Sequence, residues 1–369
     1  MIKRLYVDNY RCLVNFELPL QELTLLVGPN GVGKTSVLDV MYALRQLLAG
    51  VAKIGDDGIF PTQTLTRWQE REIQVFEVDA DLEGDTLRYR LEVAHDLPTR
   101  QPRIRLEQLT AKGAPLFQCR DGEVQRYRDD HSEGPKFSMA RWESAMARVA
   151  PEANNTRLTR FLDFMRKVMV CGLHPASFQP ESATEDALLQ RDARNFAAWY
   201  RHLLLERQDM VPQFTAALRE VLDAFRGIRM ERVGRATRAL MVMLEDHDER
   251  YELRLDEISD GERALIALYS LIWLTAGQGY TLFLDEPDNY LALPEIQPWL
   301  IELADACGST VPQAVLCSHH PELIDYLGGD RGLELARETS GVTTVRRLSE
   351  TSTESGLKLS EMIARGWQR

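Results

Sequence analysis

Residues 28 to 35 read Gly-Pro-Asn-Gly-Val-Gly-Lys-Thr and fit the spacing G-x-x-x-x-G-K-[ST]. Glycines at those places let the backbone wrap a phosphate chain, so that several N–H groups and a helix N-terminus face negative charge. In that arrangement Asn30, Gly31, Gly33 and Ser36 line the phosphates and Lys34 reaches the β- and γ-phosphates. The Thr35 hydroxyl would ligate magnesium. The pattern carries meaning only between a strand and a helix. Leu23 to Val27 is a short apolar run of the buried-strand kind, and Ser36 to Leu44 has helical amphipathic spacing. A glycine turn that matches by accident would lack those flanks. The expectation is therefore nucleotide binding with ATP and Mg2+.

Hydrolysis needs two further groups, a magnesium-holding acid and an activator of water. The run Tyr280-Thr281-Leu282-Phe283-Leu284-Asp285-Glu286-Pro287 supplies both types. An apolar strand ending in an acid puts Asp285 at the carboxyl edge of a sheet, where open α/β folds bind ligands. Glu286, leaving the strand in another direction, can take a proton from the attacking water. The plainer reading is an acidic turn after a core strand. Upstream, Ile258-Ser259-Asp260-Gly261-Glu262-Arg263 opens a helix and offers another anion-ready start, although Ser-Asp-Gly is also an ordinary N-cap turn.

These groups must be carried by an α/β framework. Residues 1 to 27 read as two strands joined by Asn9-Tyr10-Arg11-Cys12-Leu13, leading into the phosphate loop. Residues 71 to 94 alternate across Glu83-Gly84-Asp85 like a hairpin, and 102 to 128 continue in that style. A helix is expected at Met139 to Ala150, and another from 157 to 169 with Asn154-Asn155-Thr156 as its cap. Asp192 to Ala224 reads as two helices. Three short strands follow, Ile228 to Val233, Ala239 to Glu245 and Tyr251 to Leu255. Glu262 to Ala276 is a long helix, and strands and helices alternate from there, which predicts a mostly parallel sheet. The tail from about 338 reads as half ordered until a helix at Leu357 to Arg365. The expected division is 1–128, an N-terminal ATPase lobe with an antiparallel β subdomain; 129–225, a helical insertion; 226–337, a C-terminal lobe; and 338–369, a tail.

Composition bounds the class. At 369 residues, 44% hydrophobic and 27% charged, the chain can bury a large core. The longest apolar stretch, Ala264 to Ala276, is too short and too interrupted to span a bilayer. Met1 to Val7 alternates like a strand and lacks a signal-peptide core. Five scattered cysteines, never spaced C-x-x-C, argue against disulfides and structural zinc, and so for a cytoplasmic protein without a membrane partner. The net charge of −12 is the opposite of the usual electrostatic clamp on DNA. DNA contact remains an option at the arginine-rich run 226 to 235, which as a plain reading is a solvated face.

Taken in order, the phosphate loop, Ser-Asp-Gly-Glu, Leu-Phe-Leu-Asp-Glu-Pro and Ser318-His319-His320-Pro321 resemble the ABC-type ATPase heads of the RecF/SMC/OLD group. The Asn9-Tyr10-Arg11 turn and Leu188 to Leu203, with Asp192-Ala193-Arg194-Asn195-Phe196, fit that resemblance, which covers residues 1 to 327. It implies a P-loop NTPase head with a mixed or parallel sheet core, an antiparallel β subdomain and a helical insertion. It implies that Ser259 and Gly261 contact the γ-phosphate held by a second copy, that His319 is a switch histidine, and that Arg11 lies near the phosphates. Gln179 is the candidate for the glutamine that completes the magnesium shell. Asp260 and Glu262 stand where transporter signatures carry Gly and Gln, and Ala292 stands where relatives carry Asp or His. Nothing in the sequence reads as a long coiled coil or a Toprim nuclease. The resemblance thus implies an ATPase that forms a head-to-tail homodimer or higher oligomer around ATP. Its expected setting is a defence or genome-maintenance complex with a separately encoded effector such as a nuclease; a RecF-like DNA-binding repair ATPase is the alternative.

Overall fold

The computed structural model describes residues 1–247, 249–348 and 358–364. They form two compact units, one from Met1–Val168 and Leu327–Leu359, the other from Met169–Tyr326 and the segment beginning at Ser360.

The first unit carries an eight-stranded sheet in the order Phe16–Pro19, Ile2–Asp8, Ile73–Leu82, Asp85–Asp96, Gln101–Ala111, Ala114–Arg120, Glu123–Tyr127, Glu133–Ser138. Every pairing is antiparallel, and each neighbour after Ile73 follows in sequence across a short turn. Alternation along these strands sends Phe76, Val78, Leu87, Tyr89 and Leu91 to the core. Arg4, Glu77, Asp79, Arg88 and Arg90 pair with one another across the sheet. A second strand set in this unit serves the phosphate loop. Leu23–Val27 runs parallel to Gly332–Arg337, with Leu25, Leu26 and Val27 opposite Gly332, Leu333 and Glu334. Gly332–Arg337 then pairs antiparallel with Thr343–Arg347. All five residues of Leu23–Val27 are buried, as a near-continuous apolar strand requires.

In the second unit Thr281–Asp285 runs parallel to Gln313–Cys317, residue for residue from Thr281 opposite Gln313 to Asp285 opposite Cys317. Helices Asp260–Trp273, Leu293–Ala306 and Pro321–Arg331 alternate with these strands. Ala264 to Ile272 is buried on every side, so this helix is a core element, as its largely apolar run predicts. Helices Phe196–Glu206 and Val211–Arg219 supply an aromatic cluster with Phe178, Phe196, Trp199, Tyr200 and Phe214. The strands Phe225–Arg232, Arg238–Asp246 and Glu249–Arg254 form an antiparallel sheet with Glu181–Ser182.

Several local expectations change. Residues 1 to 27 hold three strands, because Phe16–Pro19 folds back on Ile2–Asp8 before the loop strand begins. The helix expected at Met139 to Ala150 shrinks to a single turn, Met146–Arg148. Its N–H groups are taken elsewhere: the fully buried Glu107 carboxylate accepts from the Ala145 and Met146 amides, the Ser144 hydroxyl and the Tyr89 phenol. The helix expected over 157 to 169 is Thr156–Arg166, and Val168–Cys171 is a strand. Asn155 holds its N-cap position, yet the capping acceptor is the distant Asp129, which receives the Thr156 and Arg157 amides. Thr343–Arg347 is a strand where the tail was expected to be half ordered, and Leu359–Ala364 is a helix. Residues 349–357 and 365–369 of that tail, including both ends of the expected helix Leu357 to Arg365, lie outside the described residues.

None of the five cysteines, all of them described, forms a disulfide. No helix among the described residues is long and apolar enough to cross a membrane.

Candidate functional site

The phosphate loop is built by backbone that only glycine adopts cheaply. Gly28, Gly31 and Gly33 have φ of 142°, 78° and 113°. A Cβ on Gly28 would stand 2.3 Å from the Leu335 carbonyl oxygen, so the neighbouring strand presses directly on the loop. Helix Lys34–Leu48 starts from Gly33 with no side-chain cap and no acid in its first turn. Its first N–H groups therefore present undiluted partial positive charge. Lys34 is buried, and its ammonium donates to the Gly28 carbonyl at 2.7 Å and to that of Pro29 at 3.4 Å. Asn30, Gly31 and Thr35 are exposed, and Ser36 is buried. This cradle of helix-start N–H groups, a cation and an exposed hydroxyl fits a triphosphate and the oxygen ligands that magnesium prefers.

Arg11 sits on the same unit beside the helix. Its backbone is left-handed, with φ 51°, and its amide donates to the Thr64 carbonyl at 2.7 Å. The guanidinium reaches Ser36 Oγ at 3.4 Å and pairs with the Asp39 carboxylate, one turn into the helix. The structure thus brings Arg11, Ser36 and the loop helix together.

Sequence reasoning missed the loop's supports. The Val32 carbonyl accepts from Thr343 Oγ1 at 2.7 Å, across 311 residues, and from the Cys12 thiol at 3.6 Å. No local signal marks Thr343, because its partner is set by the pairing of Gly332–Arg337 with Leu23–Val27.

The acid pair and the segment Ser318-His319-His320-Pro321 belong to the second unit. Asp285 ends its strand opposite Cys317, half-buried, with Gly172 against its Cβ. Glu286 turns out of the strand with φ 45°, a conformation that costs a non-glycine residue on the order of 1 kcal/mol. Its amide donates to the Cys317 carbonyl at 2.8 Å, and its Oε2 accepts from Asn289 Nδ2 at 2.7 Å. His319 Nε2 stands 3.8 Å from Glu286 Oε1. Parallel pairing therefore places Glu286 and His319 side by side at the carboxyl end of two adjacent strands, the location expected of ligand-binding groups in open α/β sheets.

Ser259 is exposed at the N-cap of Asp260–Trp273. Its hydroxyl accepts from the Glu262 amide at 3.2 Å, and the Glu262 carboxylate receives the Ser259 amide at 2.8 Å, a full capping box. A Cβ on Gly261 would lie 3.0 Å from the Tyr290 carbonyl oxygen, so the turn after the acid pair packs on the helix start. Arg263 donates to the carbonyls of Pro175, Asp256 and Ile258, tying in the segment that leads to Gln179. Gln179 itself is exposed, its amide bonded to the Arg194 carbonyl at 2.8 Å. Among the described residues no cluster of three or more His, Cys, Asp or Glu has a metal-holding arrangement.

Three comparisons bear on this architecture. A 38-residue stretch is 60% identical to an OLD nuclease of Thermus scotoductus (strain ATCC 700910 / SA-01); it spans 10% of this chain and 7% of the length of that relative. The structure is similar to an Smc head bound to the C-winged helix domain of ScpA, with TM-score 0.58 and 12% identity, covering 94% of this chain and 96% of the other. It is also similar to the Smc head domain with an extended coiled coil from Pyrococcus furiosus, bound to the C-terminal domain of ScpA. There the TM-score is 0.55 and the identity 10%, over 100% of this chain and 98% of the other. These likenesses show the fold, a P-loop ATPase head with a mixed α/β core. A family model described as "AAA domain, putative AbiEii toxin, Type IV TA system" matches residues 23–325. The chain belongs to that AAA family, within the ABC-type ATPases of the RecF/SMC/OLD group.

Proposed function

We propose that this protein hydrolyses ATP and that two copies close head to tail around the nucleotide. The observation that carries the reading is the loop helix, whose uncapped, acid-free N-terminus follows three left-handed glycines and opens with Lys34. In this reading Asn30, Gly31, Gly33, Ser36 and Arg11 hold the phosphates and Lys34 neutralises the β- and γ-oxygens. Thr35, Asp285 and Gln179 are the residues that would hold magnesium. When bound, magnesium would supply charge to the departing phosphate oxygens. Glu286 takes the proton of the attacking water, and His319 contacts the γ-phosphate. Ser259 and Gly261 reach the nucleotide of the second copy, for which the exposure of Ser259 is favourable.

The work done with ATP is a defence or genome-maintenance task, performed with a separately encoded effector such as a nuclease. The family description, which joins an AAA domain to a toxin–antitoxin system, and the short likeness to an OLD nuclease support it. The Smc heads are heads of this fold bound to a domain of another protein, ScpA. A cytoplasmic location accords with five cysteines that form no disulfide.

Replacing Glu286 by Gln tests the reading. The variant should bind ATP, hydrolyse it at least a hundredfold more slowly, and elute as a dimer with ATP and Mg2+. A monomer under those conditions overturns the head-to-tail assembly, and full turnover overturns the role of Glu286.

A DNA-binding repair ATPase is the second reading, and one feature favours it. At the tip of the hairpin formed by Phe225–Arg232 and Arg238–Asp246, Arg232 and Arg238 are direct cross-strand partners, with the exposed Arg235 between them. Like charges placed opposite each other are unfavourable until an anion joins them. ATP-dependent, salt-sensitive DNA binding lost in an Arg232/Arg235/Arg238→Ala variant would select this reading.

A further inference from the structure

The turn after the acid pair contains a buried carboxylate to which the proposed reaction assigns no role. Asp288 is 8% exposed, and burial pushes its carboxyl above the usual carboxylate range. One of its oxygens receives the Ser318 hydroxyl, while Oδ1 is buried without a hydrogen-bond partner among the described residues. Ser318 is fully buried and has a single proton to give. Because that proton goes to Asp288, a lone pair of Oγ is aimed elsewhere, and it accepts the His320 amide at 2.9 Å. His320 Nδ1 in turn accepts the Glu322 amide at 3.2 Å, in the first turn of Pro321–Arg331. The chain from Asp288 through Ser318 thus fixes the backbone on both sides of His319, whose ring stands 3.8 Å from Glu286. On the other side of the turn, Asn289 holds Glu286 Oε2 and leaves Oε1 to face His319.

A buried carboxylate with an unmatched oxygen is an unfavourable way merely to fill space. Asparagine or an apolar residue would pack there with less desolvation. The geometry gives it another use. We propose that Asp288 is a positioning residue that anchors Ser318, and through it the His319–His320 segment, so that His319 is held against Glu286. The proposal rests on the ATPase reading above. It adds the device that keeps base and switch in register, since a residue on one strand end is otherwise free to move relative to the next.

The test is steady-state ATPase kinetics on the full chain, with nucleotide affinity measured alongside. Asp288→Ala should lower kcat at least tenfold while KM for ATP and nucleotide affinity stay within twofold, because the anchor touches neither the phosphate loop nor the base directly. Asp288→Asn, which keeps an acceptor for the Ser318 hydroxyl, should restore kcat to within threefold of wild type. Ser318→Ala should fall as far as Asp288→Ala, and the double variant no further than either, since both break one connection. These variants also carry the test if Asp288→Ala does not fold. Unchanged kcat in Asp288→Ala, an Asn variant as slow as the Ala variant, losses that multiply in the double variant, or a loss expressed in KM would each overturn the positioning role alone. Absence of turnover in the wild-type protein would instead overturn the ATPase reading, and this inference with it.

Discussion

Replacing Gly28 carries a cost whose size follows from the packing of the loop. An alanine Cβ there would meet the Leu335 carbonyl oxygen at 2.3 Å and Val32 Cγ1 at 3.2 Å, and real Cβ contacts below 3.0 Å are essentially never found. The phosphate loop and the strand Gly332–Arg337 would have to part by at least the difference, 0.7 Å, although Leu25, Leu26 and Val27 are paired with that strand just before the loop. The φ of 142° adds strain of roughly 1–3 kcal/mol for any side chain. Overpacking of the contact adds about 1–3 kcal/mol more. Gly28→Ala should therefore cost about 2–6 kcal/mol, a large fraction of the roughly 5–15 kcal/mol that keeps a domain folded. Gly31→Ala is the internal control. Its φ of 78° is also left-handed, but nothing lies within 4 Å of its Cβ position, so only strain of about 1–2 kcal/mol applies. The assay is urea unfolding of both variants followed by circular dichroism, with binding of a fluorescent ATP analogue as the second readout. Equal losses in the two variants, or a Gly28→Ala protein within 1 kcal/mol of wild type, would refute the claim that the neighbouring strand shapes this loop.

Other consequences can be checked alongside. His95 is 2% exposed and neutral, its Nε2–H donating to Gln74 Oε1 and its Nδ1 accepting from the Thr62 hydroxyl; burial pushes its pKa down to about 4. Because the folded value lies below the unfolded one, the stability of this unit should be whole above pH 6.5 and fall by about 2–3 kcal/mol as pH drops through 4. His95→Gln should flatten that slope in denaturant titrations at pH 7 and pH 5, and an unchanged slope would exclude His95 as its source. Glu107→Leu strands four donors around a buried position and should cost about 3–5 kcal/mol by the same unfolding assay; a loss below 1 kcal/mol would mean the 144–146 segment is held by something else. Thr343→Val removes the buried hydrogen bond to Val32, with an expected loss of about 1 kcal/mol and severalfold weaker ATP binding; unchanged affinity would show that Thr343 does not hold the loop.

Much of the site was readable because its parts are short-range. A glycine-rich turn between an apolar strand and a helix is specified by its own residues, and so are the capping box of Ser259 with Glu262 and the acid at the end of Thr281–Asp285. The unbroken burial of Ala264 to Ile272 follows from hydrophobicity alone. Misreadings arose where a distant group competed for a local one's partners. Met139 to Ala150 has helical spacing, yet the Glu107 carboxylate outbids the helix for its amides. Asn155 looks like a cap, but Asp129 does the capping. Thr343–Arg347 looks like polar tail, and it becomes a strand because Gly332–Arg337 offers it a paired edge.

The order of motifs along the chain determined the family and the class of fold, and it named the groups proposed to hold phosphate, metal and water, since each rests on residue type and on spacing within one turn or strand. The contacts that give those groups their geometry came only with the tertiary structure: Leu335 against Gly28, Thr343 on Val32, Glu286 beside His319, and Asp288 beneath Ser318. The reason is physical. A backbone conformation is set by neighbours a few bonds away, whereas the partner of a buried carbonyl or carboxylate depends on which strands pair and in what register, and that choice is made by the burial of the whole core.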